Sequence, residues 1–245
     1  MRNSDRYLEN IVNLVYPRRC PVCDDIVPVT DGLICRECIA KVKYIKSPRC
    51  RRCGKQLFDE NVIFCKDCEK KKHIYECGYA LYDYQSMRRS IYRFKYNKRS
   101  EYAKYYAKDI CEHIGTEIRS LQADAFIPVP LHPVRKARRG YNQAEILAKE
   151  LSGLTGIPCY GNIVKRIVNT VPQKELDDRE RQNNLKKAFH IHTDVVKLKR
   201  VILVDDIYTT GATADACSSV MLRAGAEGVY LLTLCSGGNR KPGEC

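Results

Sequence analysis

Residues 201–213 have the sequence Val201-Ile-Leu-Val-Asp-Asp-Ile-Tyr-Thr-Thr-Gly-Ala-Thr213, and this stretch decides the fold. Its first residues are apolar and mostly β-branched, which predicts a buried strand over 200–204. The strand is expected to end at two adjacent carboxylates, and a hydroxyl-rich loop around Gly211 follows. Residues 212–223 have the composition of a helix. This order predicts an α/β protein with an anion site at the carboxyl edge of its sheet.

The loop has the chemistry needed to hold a phosphorylated sugar. Backbone N–H groups at a helix N-terminus attract a phosphate, because the helix dipole is positive there. Gly211 permits close approach of the backbone, and the threonine hydroxyls add donors. The carboxylates would face the sugar hydroxyls, directly or through Mg²⁺. The predicted binding residues are Asp205, Asp206, Thr209, Thr210, Gly211, Ala212 and Thr213.

All thirteen positions resemble the 5-phosphoribosyl-1-pyrophosphate (PRPP) signature of type I phosphoribosyltransferases. The alternative is an ordinary buried strand followed by a polar turn. Such a turn would contain scattered serine, asparagine and glycine rather than Asp-Asp-x-x-Thr-Thr-Gly-x-Thr in order. The signature therefore favours a PRPP site.

The composition limits the class of protein. The chain has 245 residues, of which 44% are hydrophobic, enough for one sizeable domain or a moderate domain with a small appendage. No apolar stretch approaches the ~20 residues of a membrane span, and the first residues lack the apolar core of a secretion signal, so a cytoplasmic protein is expected. The net charge of +14 favours polyanionic partners such as nucleic acid or phosphorylated substrates, although solubility alone would also explain it.

Eight of the 14 cysteines form four Cys-x-x-Cys pairs, each beginning fifteen residues after the last. In a reducing compartment this pattern indicates metal rather than disulfides. Two pairs complete a tetrahedral Cys₄ site, so the repeat predicts two structural zinc ions. A redox dithiol is the weaker alternative, because redox motifs of this kind usually occur singly. The predicted ligands are Cys20, Cys23, Cys35, Cys38, Cys50, Cys53, Cys65 and Cys68.

The spacing alone does not say how the four cysteine pairs combine. Sequential ribbons would use the first two pairs for one ion and the last two for the other, whereas a cross-braced arrangement would alternate them. The sequential arrangement is favoured because each site closes a short loop at lower entropic cost. We predict a short docking helix at 5–16, a double zinc ribbon to residue 72, and an α/β domain over 73–245.

Alternating strands and helices are predicted from about residue 75 onward. This alternation is typical of a parallel sheet flanked by helices. The predicted strands are 75–84, 125–131, 162–167, 200–204 and 229–234, and the predicted helices are 86–96, 101–121, 141–154 and 212–223.

The strand at 125–131 leads into a basic turn, and the segment that contains this transition is Ile127-Pro-Val-Pro-Leu-His-Pro-Val-Arg-Lys-Ala-Arg-Arg-Gly-Tyr-Asn-Gln143. Its basic residues surround a glycine-containing turn and suit the pyrophosphate of a substrate, although a solvated basic loop is the alternative. His132 is predicted to be structural rather than catalytic. The polar segment 169–184 could close over a ligand or be an ordinary loop. The predicted pyrophosphate-binding residues are Arg135, Lys136, Arg138 and Arg139.

The motifs together resemble the ComF family of competence-associated proteins, which place a double zinc ribbon ahead of a phosphoribosyltransferase domain. The resemblance covers essentially the whole chain and implies PRPP binding by Asp205, Asp206 and 209–213, with pyrophosphate near 135–139. It also implies a role in uptake of single-stranded DNA beside a helicase-like partner. After the cysteine repeat, the motifs are Phe94-Lys-Tyr96, Pro128-Val-Pro-Leu-His132, Arg139-Gly-Tyr-Asn-Gln143, Thr170-x-Pro-Gln173 and 201–213.

Three functions fit these features. In the first, a phosphoribosyltransferase binds Mg²⁺–PRPP and replaces pyrophosphate by an acceptor nitrogen, with Asp205, Asp206 and Arg139 as catalytic residues that act by positioning and charge stabilisation. In the second, a non-catalytic single-stranded DNA- or helicase-binding protein uses PRPP as a regulatory ligand, and tyrosines of 92–96 stack on unpaired bases. A purely structural zinc adaptor ranks last, because both carboxylates are present.

Glutamine-dependent amidotransfer is not expected from this sequence. The chain has no N-terminal nucleophilic cysteine and no room for a glutaminase domain. The acceptor itself is not identified by any motif.

Overall fold

The computed structural model describes residues 17–28, 32–166, 189–191 and 198–237. The predicted helix at 5–16, the polar segment 169–184 with its Thr170-x-Pro-Gln173 motif, and Cys245 lie outside these ranges. Among the described residues no helix combines the length and the apolar character needed to cross a bilayer.

Two ribbons of similar design precede the α/β domain. The first ribbon comprises 17–28 and 32–41 and contains helix α1 (Arg36–Ile39), and the second comprises 46–72 and contains α2 (Lys66–Lys70). Each helix begins directly after the third cysteine of its ribbon, so the fourth cysteine follows one turn later. Each ribbon also has an antiparallel bridge next to its first cysteine, which pairs Arg19 with Ile26 and Arg49 with Gln56. The sequence repeat is therefore a structural repeat.

The α/β domain has a main sheet of four strands in the order β1-β6-β5-β2, and every neighbouring pair is parallel. The predicted fold class, a parallel sheet flanked by helices behind a zinc ribbon, is confirmed. The elements are β1 (Gly78–Asp83), α3 (Tyr84–Tyr96), α4 (Tyr102–Ser120), β2 (Ala125–Pro128), α5 (Pro133–Arg139), α6 (Gln143–Thr155), β3 (Val164–Arg166), β4 (Phe189–Ile191), β5 (Arg200–Tyr208), α7 (Ala212–Arg223) and β6 (Gly228–Ser236).

Three predictions about these elements were wrong in detail. The strand predicted at 162–167 does not join the main sheet, because β3 pairs antiparallel with β4 in a separate two-stranded sheet. Strand β5 continues past the two carboxylates to Tyr208, which is buried. The basic turn is instead helix α5, which has Pro133 at its start, a cap from His132 to the Val134 N–H, and Gly140 in the left-handed conformation at its end.

The two faces of the main sheet are covered by different layers. Neighbouring residues of a strand point to opposite faces, so Ile202 and Leu203 of β5 belong to different cores. Ile202 packs with the apolar residues of α3, α4 and α6. Leu203 packs with α7 and with the second ribbon, including the cysteines of that ribbon. The second ribbon therefore takes the place of a covering helix beside α7.

The second ribbon approaches β1 backbone to backbone. A Cβ atom on Gly54, which has a φ of +73°, would lie 2.6 Å from the Ala80 nitrogen, and a Cβ on Gly78 would lie 3.0 Å from the Arg52 carbonyl oxygen. The chain that enters this ribbon also pairs with β1. The Ile45 N–H donates to the Leu81 carbonyl at 2.9 Å. This segment covers the edge of β1 that β6 does not occupy.

The first ribbon contacts α3 and α4 on the opposite face of the sheet. The Asp24 carboxylate lies 2.8 Å from the Arg99 Nε atom and accepts a hydrogen bond from the Tyr102 hydroxyl. The Arg93 guanidinium donates to the Val22 carbonyl at 3.0 Å. Within the ribbon, buried apolar side chains form a small cluster of their own, which consists of Cys20, Val27 and Cys38.

Candidate functional site

The two adjacent carboxylates lie on β5 and leave the strand on opposite sides. Asp205 lines a cavity with Thr209, Gly211 and Thr213 of the loop, and the volume of this cavity is about 30 Å³. Asp206 instead forms an ion pair with Lys95 at the end of α3, with 2.9 Å between the Nζ and Oδ1 atoms. The alternation of side chains along a strand explains this split. Only Asp205 is therefore placed against the loop itself.

The Asp205 carboxyl resists ionisation. Burial and the negative charge of neighbouring Asp206 raise the pKa of Asp205 to about 7, although the Asp206 N–H donates to it at 2.8 Å. Lys95 and Arg166 act in the opposite direction. A cation beside Asp205 would favour its charged form. The carboxylate oxygens present here fit the preference of Mg²⁺ for hard oxygen ligands.

The hydroxyl-rich loop joins β5 to α7 as predicted. Thr209 and Thr210 are exposed, and Gly211 has a φ of +74°, in the left-handed region that favours glycine. Gly211 occupies the N-cap position of α7 and has no side chain with which to cap that helix. Helix α7 therefore begins two residues after the exposed Thr210, and its first N–H groups have no side-chain cap. A phosphate beside the threonines would meet the positive end of this helix.

Lys95 is held in place by contacts between its own motif, 94–96, and the distant motif 139–143. The Tyr141 hydroxyl donates to the Phe94 carbonyl, and the Gln143 side-chain amide donates to the Lys95 carbonyl at 3.4 Å. The Arg139 guanidinium lies over the ring of Tyr96, 4.9 Å from its centre. The segments 94–96 and 139–143 thus form one unit beside Asp206. Sequence reasoning missed Lys95 as a site residue, although it is the central residue of the Phe-Lys-Tyr motif.

The four predicted pyrophosphate residues have different surroundings. Lys136 is paired with Glu145 at 3.0 Å, Arg139 donates to the Gln143 side chain at 2.6 Å, and Arg138 is exposed. Arg135 is close enough to Arg166 that the two like charges interact.

Arg166 of β3 is a second residue that sequence reasoning missed. Burial and the positive charge of Arg135 lower the pKa of Arg166, while the negative charge of Asp205 opposes this change. The guanidinium also stacks on the ring of Phe189, 5.4 Å from its centre. Arg166 therefore brings positive charge toward Asp205, and Arg135 lies beside Arg166. No local pattern identifies Arg166, since its place depends on how β3 packs.

The cysteines form two sets of four, and the sequential arrangement is confirmed. The first cluster is Cys20, Cys23, Cys35 and Cys38, and the second cluster is Cys50, Cys53, Cys65 and Cys68.

Both clusters fit a tetrahedral zinc site. Within each one the sulfur atoms all lie within 4.8 Å of one another. The Sγ atoms of Cys53 and Cys65 are 3.7 Å apart, and so are those of Cys23 and Cys35. Sulfur atoms at about 2.3 Å from a tetrahedral zinc would be about 3.8 Å apart. The two clusters therefore have the spacing that such an ion requires.

His73, which follows the second ribbon, joins that ribbon to the loop. Its Nδ1 atom lies 2.9 Å from an Asp215 carboxylate oxygen, and its Nε2 atom lies 3.2 Å from the Tyr208 hydroxyl. Burial works to raise the pKa of Asp215, but the hydrogen bond from His73 and further donors outweigh it, so the pKa is lowered. Sequence reasoning did not single out these residues, because the partners are more than 130 positions apart.

Comparison with known proteins agrees with this layout. Residues 11–69 match the model of the double zinc ribbon domain family. The chain is similar to competence protein F of Haemophilus influenzae, with 31% identity over 87% of this chain and 94% of that protein. It is also similar to the DNA utilization protein YhgH of Salmonella typhimurium, with 30% identity over 91% of this chain and 98% of that protein.

A solved structure, the purine phosphoribosyltransferase from Pyrococcus horikoshii, is similar over part of the chain. The match has a TM-score of 0.35 and 18% identity, and it covers 54% of this chain and 73% of that one.

Proposed function

This chain belongs to the ComF family, and we propose that it binds Mg²⁺–PRPP at the β5–α7 loop and transfers phosphoribose to an acceptor during competence-related handling of DNA. The observation that supports this most is the loop itself. Gly211, with its positive φ, leads the exposed threonine hydroxyls directly into the N-terminus of α7, and Asp205 lies against the same loop. This is the arrangement that a sugar phosphate needs.

Different residues of the site would bind different parts of PRPP. The 5-phosphate would bind at 209–213, where Thr209 and Thr210 are exposed and the N-terminus of α7 offers backbone N–H groups. The ribose hydroxyls would face Asp205, and Asp206 after release of its pair with Lys95. Bound Mg²⁺ would supply charge neutralisation for the leaving pyrophosphate. Arg166 adds positive charge near Asp205, and Arg135 lies beside Arg166.

The proposed reaction is a displacement at C1 of the ribose. The bond from C1 to the pyrophosphate oxygen breaks, a bond from C1 to an acceptor nitrogen forms, and the acceptor loses a proton to solvent. The protein contributes orientation of the two partners and stabilisation of the departing negative charge. No covalent intermediate on the protein is required.

Calorimetric titration of PRPP with Mg²⁺ into the zinc-replete protein tests this proposal. We expect Asp205→Asn to weaken binding about 10- to 100-fold, by analogy with the loss of a metal-supporting group. Glu227→Gln is the matched control, since Glu227 is exposed and pairs with Lys199, which precedes β5 at the end of the strand opposite the loop. Absence of PRPP binding by the parent protein would refute the proposal. If PRPP does bind, a measurement of pyrophosphate release with trial acceptors separates an enzyme from a protein that only binds PRPP.

A groove along α3 favours single-stranded DNA as a second ligand. It has a volume of about 650 Å³. Tyr92 and Tyr96 are 59% and 52% exposed, and their ring centres are 5.0 Å apart. Exposed rings among arginines provide stacking surfaces for unpaired bases and charge for phosphates. The lining includes Tyr84, Arg88, Arg89, Tyr92, Lys95 and Tyr96.

Fluorescence anisotropy with a labelled thymidine oligonucleotide tests this second ligand. We expect Tyr92→Ala to cost about 1–3 kcal/mol of binding free energy, the usual effect of losing one stacking platform. Tyr160→Ala is the control, because Tyr160 is exposed and does not line the groove. Equal effects of the two substitutions would exclude the groove as the binding surface. The helicase-like partner remains a prediction of the family resemblance, and the cytoplasmic location remains a prediction from the sequence.

A further inference from the structure

His73 is the point at which the second ribbon meets the loop. Its side chain is 1% exposed. A Cβ atom on Gly211 would lie 2.6 Å from the Cε1 atom of His73, so the imidazole packs directly on the glycine of the loop. The two ring nitrogens reach both flanks of the loop, one toward Tyr208 before it and the other toward Asp215 after it. One side chain therefore contacts the beginning, the middle and the end of the loop region.

Tyr208 connects this point to the second cluster. Its hydroxyl lies 4.0 Å from the Cys68 Sγ atom and accepts a hydrogen bond from the Tyr75 hydroxyl at 3.1 Å. The ammonium group of Lys55, a residue of the second ribbon, lies 6.0 Å from the centre of the Tyr208 ring. Tyr208 is the last residue of β5, directly before the loop. The metal-binding ribbon thus packs around the residue from which the loop starts.

Asp215 connects the other end of the loop to the same segment. It lies in the first turn of α7, and its carboxylate is held by the chain that follows the second cluster. The Lys71 Nζ atom lies 3.0 Å away, and the Ile74 N–H donates at 3.0 Å. Together with His73, these groups fix the start of α7. Residues 68–75 therefore contact both Tyr208 and Asp215, the residues on either side of the loop.

We propose that the second ribbon is a structural part of the PRPP site, so that metal binding at the second cluster and PRPP binding at 209–213 strengthen each other. The inference rests on the proposed function, because it concerns the same loop. A zinc ribbon loses its structure without metal. Without the ribbon the loop would be less ordered. Part of the free energy of PRPP binding would then be used to order it, so PRPP would bind more weakly. Thermodynamic linkage requires the reverse effect as well, so PRPP should retain the metal of the second cluster.

The first cluster has no contact with the loop among the described residues. Its ribbon contacts α3 and α4 through Val22 and Asp24, on the other face of the sheet from α7. The first cluster therefore serves as an internal control for any effect of PRPP on metal retention.

Zinc release to a zinc-selective chelator, followed by a colorimetric indicator with and without Mg²⁺–PRPP, tests the coupling. The Cys23→Ser protein, which retains the second cluster, assigns the two phases of release. We expect PRPP to tighten zinc binding by the second cluster, measured in competition with the chelator, at least about fivefold, the lower end of typical coupling between sites, and to leave zinc binding by the first cluster unchanged.

Tyr208→Phe separates the coupling from simple stability. This substitution keeps the ring but removes the hydroxyl that faces His73 and Cys68. We expect two zinc ions to remain bound and the protection by PRPP to fall at least about threefold, within the range of interaction energies between residues in contact. Tyr44→Phe is the matched control, since the Tyr44 hydroxyl donates to Asp109 in the other core.

The outcomes distinguish the two proposals. If calorimetry shows PRPP binding and the zinc release of both clusters is unchanged by PRPP, the coupling is refuted and the proposed function stands. If PRPP protects both clusters equally, the assignment to the second ribbon is refuted. If the parent protein does not bind PRPP, both proposals fail.

Discussion

The two ribbons have the same cysteine spacing but different roles in the architecture. All four cysteines of the second cluster are buried and belong to the core that covers one face of the sheet. In the first cluster Cys23 and Cys35 are only half-buried, and the buried residues of that ribbon form a separate small cluster. The second ribbon thus serves as part of a layer of the α/β domain, whereas the first is attached to the helices of the opposite layer.

The difference shows that a metal-binding repeat does not fix how deeply each copy is integrated. Each ribbon has its own four cysteine ligands and its own short helix. The integration of the second copy depends instead on small residues, because Gly54 and Gly78 allow the backbone of the ribbon to lie against β1. The comparison therefore predicts that equivalent changes in the two ribbons have unequal effects.

The largest difference is expected when one ligand is removed from each cluster. Cys53→Ser should lower the free energy of unfolding by more than about 4 kcal/mol, since it removes a metal site from the main core. Cys23→Ser should cost about 1 kcal/mol in global unfolding, because its ribbon has its own small core. Zinc content and urea unfolding followed by circular dichroism measure both effects. Equal losses would show that the two ribbons are equally integrated.

A smaller difference is expected from alanine at the glycines of each ribbon. Gly54→Ala combines a positive φ with a contact of 2.6 Å to backbone, and should cost about 3 kcal/mol. Gly32→Ala in the first ribbon also has a positive φ, but a Cβ there meets nothing within 4 Å, so about 1 kcal/mol is expected. Thermal unfolding of the two variants measures the difference. A ratio near one would mean that β1 shifts to accommodate the added methyl group.

The smallest effect is expected at the docking contact of the first ribbon. Asp24→Asn weakens the pair with Arg99 and should cost about 1 kcal/mol, since the pair is partly exposed. We expect faster hydrogen exchange over residues 17–28 with no change over the second ribbon. The control is Asp59→Asn, at an exposed position whose side chain accepts hydrogen bonds from Asn61. Faster exchange in the second ribbon as well would indicate that the two ribbons open together.

The sequence was sufficient where the physical cause is local. The cysteine spacing and the cost of loop closure predict the sequential clusters, and the helix predicted at 212–223 has the observed bounds. The bounds of β5 were harder to predict. Two carboxylates suggested the end of the strand, yet burial of Tyr208 beside the second ribbon extends it.

Other features depend on contacts between distant parts of the chain. His73 and Asp215 are 142 positions apart, and no periodicity relates them. Lys95 reaches Asp206 because α3 packs on β1 and β6, and Arg166 comes near Asp205 only through the tertiary placement of β3. Helix α5 is different, because Pro133 and Gly140 are ordinary start and stop signals that could have predicted it.

The pairing of β1 with β6 has a consequence for biosynthesis. The register places Gly78 opposite Leu231, so the first strand of the sheet finds its neighbour in the last one. During translation β1 leaves the ribosome long before β6 exists, and an unpaired strand invites aggregation. The second ribbon and residues 43–45 are made just before β1 and cover its face and its other edge. Metal loading of the nascent N-terminus would therefore shield β1 until the final strand arrives.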